Sequence, residues 1–247
     1  MSKTKLAAIV LGAGKGTRMK SDLPKVLMPL RNRPMIRYII DSMEEMKADK
    51  IVTVIAPDGD LVKKEVAPYK TCVQQQQLGT ANAVLAAKDE LQGFDGNVLV
   101  IYGDTPITPI SIYQKMLQKC QEGYAVVVLG FVLEDAGRYG RLKIENGELT
   151  QIVEFKDATE EEKAIKLCNS GIMCFDGKTM FDILSQIKND NAAKEYYLTD
   201  AIAIARQKGL KCAVVECKAE DVASANTREE LALLEQFLIK RQGKNIA

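Results

Sequence analysis

Six consecutive apolar residues, Leu6–Leu11, run straight into Gly12-Ala13-Gly14-Lys15-Gly16. A strand with one wet face would alternate apolar and polar residues. An unbroken apolar run bounded by glycines instead suits a strand covered on both faces, the situation of a parallel sheet sandwiched between helices. The residues that follow support that architecture. Met35–Met46 carries Ile36, Ile39, Ile40, Met43 and Met46 at helical spacing, and Ile51–Ala56 returns to a strand closed by Pro57-Asp58-Gly59. Ala81–Leu91 reads as a helix, Val98–Tyr102 as a strand ending at Gly103-Asp104, and Ser111–Gln121 as a further helix. Strands alternating with helices predict a parallel sheet with right-handed crossovers.

After Tyr124 the pattern changes. Ala125–Leu133, Arg141–Ile144, Leu149–Phe155 and Leu167–Phe175 are strands by composition, and Asn146-Gly147 between the second and third is a hairpin signal. Helices follow at Lys178–Ile187 and Leu198–Gln207, then a strand at Cys212–Glu216. Thr227-Arg228-Glu229-Glu230 has the form of a capping box. The closing helix it opens has an apolar stripe of Leu231, Leu234 and Leu238, widened by Leu233 and Phe237. The expected fold is a single α/β domain over residues 1–226, a Rossmann-like, mostly parallel sheet flanked by helices with a β-hairpin insertion in its second half. Residues 227–247 form a C-terminal helical arm in this reading.

Bulk composition removes several functions. The chain has no histidine, which excludes Ser-His-Asp and Cys-His mechanisms. Its six cysteines form no CxxC pair, so structural zinc and thioredoxin-like chemistry are disfavoured and reduced, mostly buried cytosolic thiols are expected. A formal net charge of +1 provides no global field for nucleic acid or an anionic membrane. No segment is apolar for long enough to be a signal or a membrane span. Phosphate recognition, if present, must come from a few cations and backbone amides placed locally.

The loop after the first strand has that form. Gly12, Gly14 and Gly16 alternate with Ala13 and Lys15 and are followed by Thr17-Arg18-Met19. Glycines let the backbone approach a ligand and turn successive amides toward phosphate oxygens. The spacing is neither that of a Walker A loop nor of the dinucleotide fingerprint. Taken alone, the loop fits a tight structural turn as well as a phosphate cradle. Leu23-Pro24-Lys25 adds a lysine stiffened by the preceding proline.

Gly12-x-Gly14-x-Gly16-Thr17-Arg18-Met19 followed by Leu23-Pro24-Lys25 resembles the signature of sugar-nucleotide pyrophosphorylases. More closely, the chain resembles the uridyltransferase domain of bacterial bifunctional N-acetylglucosamine-1-phosphate uridyltransferase/glucosamine-1-phosphate acetyltransferases. The likeness continues through Gln74-x-x-Gln77-Leu78-Gly79-Thr80, Tyr102-Gly103-Asp104, Gly140, Val153-Glu154, Asn169-Ser170-Gly171, Glu195 to Asp200, and Asn226. It implies a fold of the nucleotide-diphospho-sugar transferase type and a cytoplasmic enzyme of cell-wall precursor synthesis. The implied reaction joins UTP to N-acetylglucosamine 1-phosphate with release of pyrophosphate.

The resemblance also assigns roles. Arg18 and Lys25 would be catalytic. Leu11, Gly12, Ala13, Gly14, Lys15, Gly16, Thr17, Gln74, Gly79 and Thr80 would bind the nucleotide. Tyr102, Gly103, Gly140, Glu154, Asn169 and Thr199 would bind the sugar, and Asp104 with Asn226 would hold Mg²⁺. On residue chemistry alone Asp104 could equally close a turn, Asn226 could be turn chemistry, Gln74 polar filler, Glu154 a solvent-facing residue and Thr199 a helix cap. Two departures stand out: Ala81-Asn82 where relatives often have Gly-His, and Lys194 where they commonly have glycine. The hexapeptide repeats of the acetyltransferase β-helix do not occur, so acetyl transfer and a β-helix trimer are not expected; the oligomeric state stays open. The remaining alternatives are another sugar 1-phosphate, such as that of N-acetylmuramic acid or glucose, and a non-catalytic regulatory module of the same fold.

Overall fold

The computed structural model describes residues 4–14, 16–19 and 21–244, without the side chains of residues 17 and 242–244. Its centre is a sheet of nine strands. In chain order these are β1 (Leu6–Leu11), β4 (Lys50–Ile55), β5 (Lys70–Val73), β6 (Asn97–Tyr102), β7 (Val126–Val132), β8 (Arg141–Glu145), β9 (Glu148–Val153), β10 (Leu167–Asp176) and β11 (Cys212–Cys217). A two-stranded ribbon, β2 (Pro29–Leu30) with β3 (Arg33–Pro34), lies apart. The main path runs β11-β7-β10-β6-β1-β4-β5. Along it β10 is antiparallel to both neighbours, and the other pairings are parallel.

The apolar run of β1 divides as a strand covered on both faces should. Ala7 and Ile9 join one core with Ala83, Val84, Met180, Ile183, Ala201 and Ile202. Those residues come from helices α3 (Thr80–Leu85), α6 (Gly177–Leu184) and α7 (Ala201–Gln207). Leu6, Ala8 and Val10 join a second core built with α1 (Met35–Glu45), α2 (Asp60–Glu65) and α4 (Ile110–Gln121). Neither core alone would account for six apolar residues in sequence.

The hairpin expected at residues 145–148 is present. Glu145 pairs with Glu148, and Asn146 and Gly147 both have positive φ, 52° and 78°, as a two-residue type I′ turn requires. The hairpin joins the sheet where Arg141 of β8 meets Cys168 of β10. Among the described residues all six cysteines are free, and no helix is long and apolar enough to cross a membrane.

Some expected boundaries move. The helix read over 81–91 ends at Leu85 and is followed by a separate 3₁₀ turn at Asp89–Leu91. The helix read to Ile187 stops at Leu184, and the one read from Leu198 begins as a 3₁₀ turn, Leu198–Asp200, before α7. The strand β5, helix α2 and a short helix α5 (Glu160–Lys163) were not evident from apolar periodicity.

The last helix, α8 (Arg228–Lys244), packs on a third core that contains Met19, Met28, Leu30, Met35, Ile107, Ala225 and Leu234. Leu231, Phe237 and Leu238 flank that contact. Leu233 does not widen the stripe: it is 46% exposed, because the position before a buried Leu234 turns about 100° round the helix. Leu234→Ala is therefore expected to cost about 2–5 kcal/mol and Leu233→Ala about 0.5 kcal/mol or less, measured by chemical denaturation.

Candidate active site

The in-register pairing of Leu11 with Tyr102 ends β1 and β6 side by side. The glycine loop and the Gly103-Asp104 turn therefore leave the sheet at the same carboxyl edge, where ligands of open α/β folds bind. Gly12 prolongs the ladder by one bond, its N–H donating to Val54 O at 2.8 Å. Beyond Gly14 the chain turns through Gly16, whose φ is 58°. A Cβ on Gly16 would lie 2.5 Å from Lys25 Cβ, so this position must be glycine for the loop to fold over Lys25. Met19, fully buried, fixes the far end of the loop in the third core. Lys15 lies outside the described residues, as does the side chain of Thr17.

Pro24 leads into the 3₁₀ turn Lys25–Leu27, and the next two side chains, Val26 and Leu27, are buried. Gly103 makes room for that anchor, since a Cβ there would sit 2.8 Å from Val26 Cγ1. The Lys25 ammonium forms an ion pair with the Asp104 carboxylate, both side chains largely shielded. The same Nζ donates to Asn226 Oδ1 at 2.8 Å, and Arg18 donates to that oxygen at 2.9 Å. Residues from both ends of the chain thus meet around one cation. Asn226 is held in turn by its own N–H, which donates to the Glu230 carboxylate on the first turn of α8.

A cleft of about 320 Å³ opens beside this cluster, lined by Leu11, Ala13, Gly14, Lys25, Asp104 and Tyr102 on one side. Gln74, Gln77, Gly79, Thr80 and Glu195 line the other. Gln77 was not singled out from the sequence as a site residue, yet its Nε2 donates to Ala13 O at 2.6 Å and ties the segment to the glycine loop. Its place in a run of glutamines gave no direction to its side chain. Gly79, with φ 117°, lies against the Tyr196 backbone, where a Cβ would approach within 2.6 Å. Ala81 N–H donates to Tyr196 O, Tyr196 N–H to Leu78 O and Leu198 N–H to Thr80 Oγ1, at 2.8–3.0 Å.

The remaining residues adjoin the cleft at Tyr102. Thr199, buried, donates through Oγ1 to Glu154 Oε1 at 3.0 Å, so it is not acting as a helix cap. Gly140 faces Glu154: a Cβ there would lie 3.5 Å from both carboxylate oxygens. Asn169 N–H donates to Gly140 O, and its side-chain Oδ1 accepts from Gly171 N–H, both at 2.9 Å. Gly171, with φ 87°, packs under the Tyr102 ring.

Burial first, then the nearby Asp200, Asp157 and Glu195 carboxylates, raise the Glu154 carboxyl above its ordinary range, against the lowering effect of the Thr199 bond. Burial and Asp157 likewise raise Asp200. Burial and the surrounding carboxylates push the Tyr197 phenol up to about 12. Among the described residues no three His, Cys, Asp or Glu side chains gather as a metal cluster.

Known proteins match this chain in both sequence and fold. The MobA-like NTP transferase domain family matches residues 8–197. The bifunctional protein GlmU of Rhodospirillum rubrum is 49% identical over 237 residues, 95% of this chain and 53% of that protein. GlmU of Paramagnetospirillum magneticum is 45% identical over 98% of this chain and 54% of its own length. The chain thus spans about half the length of these relatives. A UDP-glucose pyrophosphorylase solved with UDP-glucose superposes with a TM-score of 0.74 at 20% identity, covering 96% of this chain and 99% of that one. That likeness establishes the Rossmann-like nucleotidyltransferase fold.

The Glu154 shift has a consequence for stability. A raised folded-state value means that the folded protein binds this proton more tightly than the unfolded chain does. The resulting stabilisation is complete below the unfolded value of about 4.3 and is lost as pH rises through the raised folded value. Above that range ionisation of this carboxyl therefore works against folding. Glu154→Gln, whose amide oxygen can still accept from Thr199, is expected to raise the thermal midpoint at pH 7–8, with the gain shrinking toward pH 4. A variant no more stable than the parent at pH 7.5 would contradict this electrostatic account.

Proposed function

The chain belongs to the MobA-like NTP transferase domain family, and we propose that it joins UTP to N-acetylglucosamine 1-phosphate, forming UDP-N-acetylglucosamine and pyrophosphate. The observation that carries this reading is the convergence of Lys25, Asp104, Asn226 and Arg18 beside the glycine loop. In the reaction a phosphate oxygen of the sugar 1-phosphate attacks the α-phosphorus of UTP. The bond from that phosphorus to the bridging oxygen breaks, and pyrophosphate leaves in line. The attacking oxygen is already anionic near neutral pH, so the absence of histidine is no obstacle. The demand is to bring two polyanions together and to stabilise charge on the phosphoryl oxygens.

In this reading Leu11 to Thr17 wrap the phosphates with backbone amides, and Lys15, Arg18 and Lys25 supply positive charge. Gln74, Gly79 and Thr80 receive the base. Tyr102, Gly103, Gly140, Glu154, Asn169 and Thr199 receive the sugar, whose hydroxyls match the paired acceptors and donors around Glu154. Residues 1–226 form the catalytic unit. The arm, 227–247, serves it by holding Asn226 in place.

Asp104 and Asn226 fit a divalent cation. Their side-chain oxygens accept from one and the same ammonium, so both face a point that already holds positive charge. Hard oxygen donors of this kind suit Mg²⁺, which takes few protein ligands and completes its shell with phosphates and water. When bound, Mg²⁺ would neutralise charge on the phosphate oxygens. The choice of sugar follows the resemblance to the uridyltransferase domain and the likeness to GlmU over 95% of the chain. A cytoplasmic setting accords with six free thiols and a nucleoside triphosphate substrate.

Pyrophosphate release measured across a panel of nucleoside triphosphates and sugar 1-phosphates is expected to be greatest for UTP with N-acetylglucosamine 1-phosphate and to need a divalent cation. Release with a different sugar would revise the acceptor only, and none with any pair would end the enzymatic reading. Asp104→Ala is expected to lower turnover by at least about 100-fold while keeping the cooperative unfolding transition. Full activity in that variant would remove Asp104 from the cation site.

A further inference from the structure

The half-buried Asn82 lies on the first turn of α3 and touches Gln74. Gln74 is only 6% exposed and lines the cleft. Its amide nitrogen Nε2 donates to Gly79 O at 3.1 Å and to Asn82 Oδ1 at 3.0 Å. A backbone carbonyl can only accept, so the group that Gln74 turns toward Gly79 must be its NH₂. That NH₂ has two hydrogens, and Gly79 and Asn82 use both. Gln74 Oε1, which carries lone pairs and no hydrogen, receives no bond from any described residue.

We propose that Asn82 sets the choice of pyrimidine: by taking the second amide hydrogen of Gln74, it presents Gln74 to the base as an acceptor only. Uracil carries N–H at ring position N3 and satisfies an acceptor. Cytosine carries a lone pair there, so it would face Oε1 lone pair to lone pair and leave a buried polar group unmatched. Glutamine by itself does not discriminate, because rotating its amide exchanges donor for acceptor. Gly79 O sets that rotation through one hydrogen, and Asn82 Oδ1 occupies the other, so no N–H of Gln74 is left to turn toward an acceptor on the base. Asn82 acts through Gln74 and is a positioning residue. The inference rests on the uridyltransferase reading and adds to it the origin of base selectivity.

Calorimetric titration of the full chain with UTP and with CTP tests this without requiring turnover. The parent protein is expected to prefer UTP. Asn82→Leu, and Asn82→Ala should the larger side chain impair folding, is expected to lower the UTP-over-CTP affinity ratio by about 3- to 10-fold, the factor of one net hydrogen bond. Asn82→Asp, which keeps an accepting oxygen beside Gln74, is expected to retain the ratio. A purely structural role would weaken both nucleotides alike and leave the ratio unmoved. A ratio within about twofold of the parent in the folded Leu or Ala variant overturns the proposal, as does an Asp variant that loses the ratio as fully as they do. A parent protein that binds CTP as well as UTP overturns the uridyl reading itself.

Discussion

The register between β1 and β6 is the constraint from which the site follows. Leu11 stands opposite Tyr102, so the glycine loop and Asp104 begin their departures from the sheet at the same level. A slip of one residue would exchange the two faces of β1 and send Ala7 and Ile9 into the core now filled by Leu6, Ala8 and Val10. Both faces of this strand are fully packed, against different helices, so the slip would misfit both cores at once. The precision of the Lys25–Asp104 contact is therefore derived from packing far larger than the contact itself.

The second half of the site comes from the opposite end of the chain. Asn226 precedes α8, and that helix is pinned along its length: Leu234 is buried beside Met19 and Ile107, and Arg241 donates to Ile107 O and to the Asp221 carboxylate. Ile107 lies three residues beyond Asp104, and Met19 directly follows Arg18. The same helix face therefore touches both segments that Asn226 must meet. Placement of Asn226 is a packing result first and an electrostatic one second.

Sequence patterning made most of this visible where an element is long and buried. The strands β1, β4 and β6 and the helices α1 and α4 were readable because each fills a core continuously. The strand β5 was not, since Lys70–Val73 is a half-exposed edge with no apolar run or alternation. The capping box at Thr227 was legible in part. Thr227 Oγ1 accepts from Glu230 N–H as expected, but the Glu230 carboxylate accepts from Asn226 N–H, one residue earlier in the chain. Local sequence rules assume that the reciprocal bond closes on the cap itself. Likewise the motif around Gln74 could be matched by resemblance, but the direction of its amide depends on Gly79 O and Asn82, which only the folded loop brings to it.

The charge distribution gives an almost neutral chain a strong local field. At one end of the cleft Lys25 and Arg18 share Asn226, and the Asp104 carboxylate there is already paired with Lys25. At the other end Glu154, Asp157, Glu195 and Asp200 are close enough to raise one another's proton affinities or that of Tyr197. The cleft is thus polarised, with cations toward one end and carboxylates toward the other. A ligand with an anionic head and a neutral body fits that field better in one orientation, because reversal would bring its charge against these carboxylates, of which Glu154 and Asp200 are partly buried and so the less screened. The field acts mainly within the cleft, as a net charge of +1 requires. Its cost falls on Glu154, whose ionisation burial and the neighbouring carboxylates disfavour.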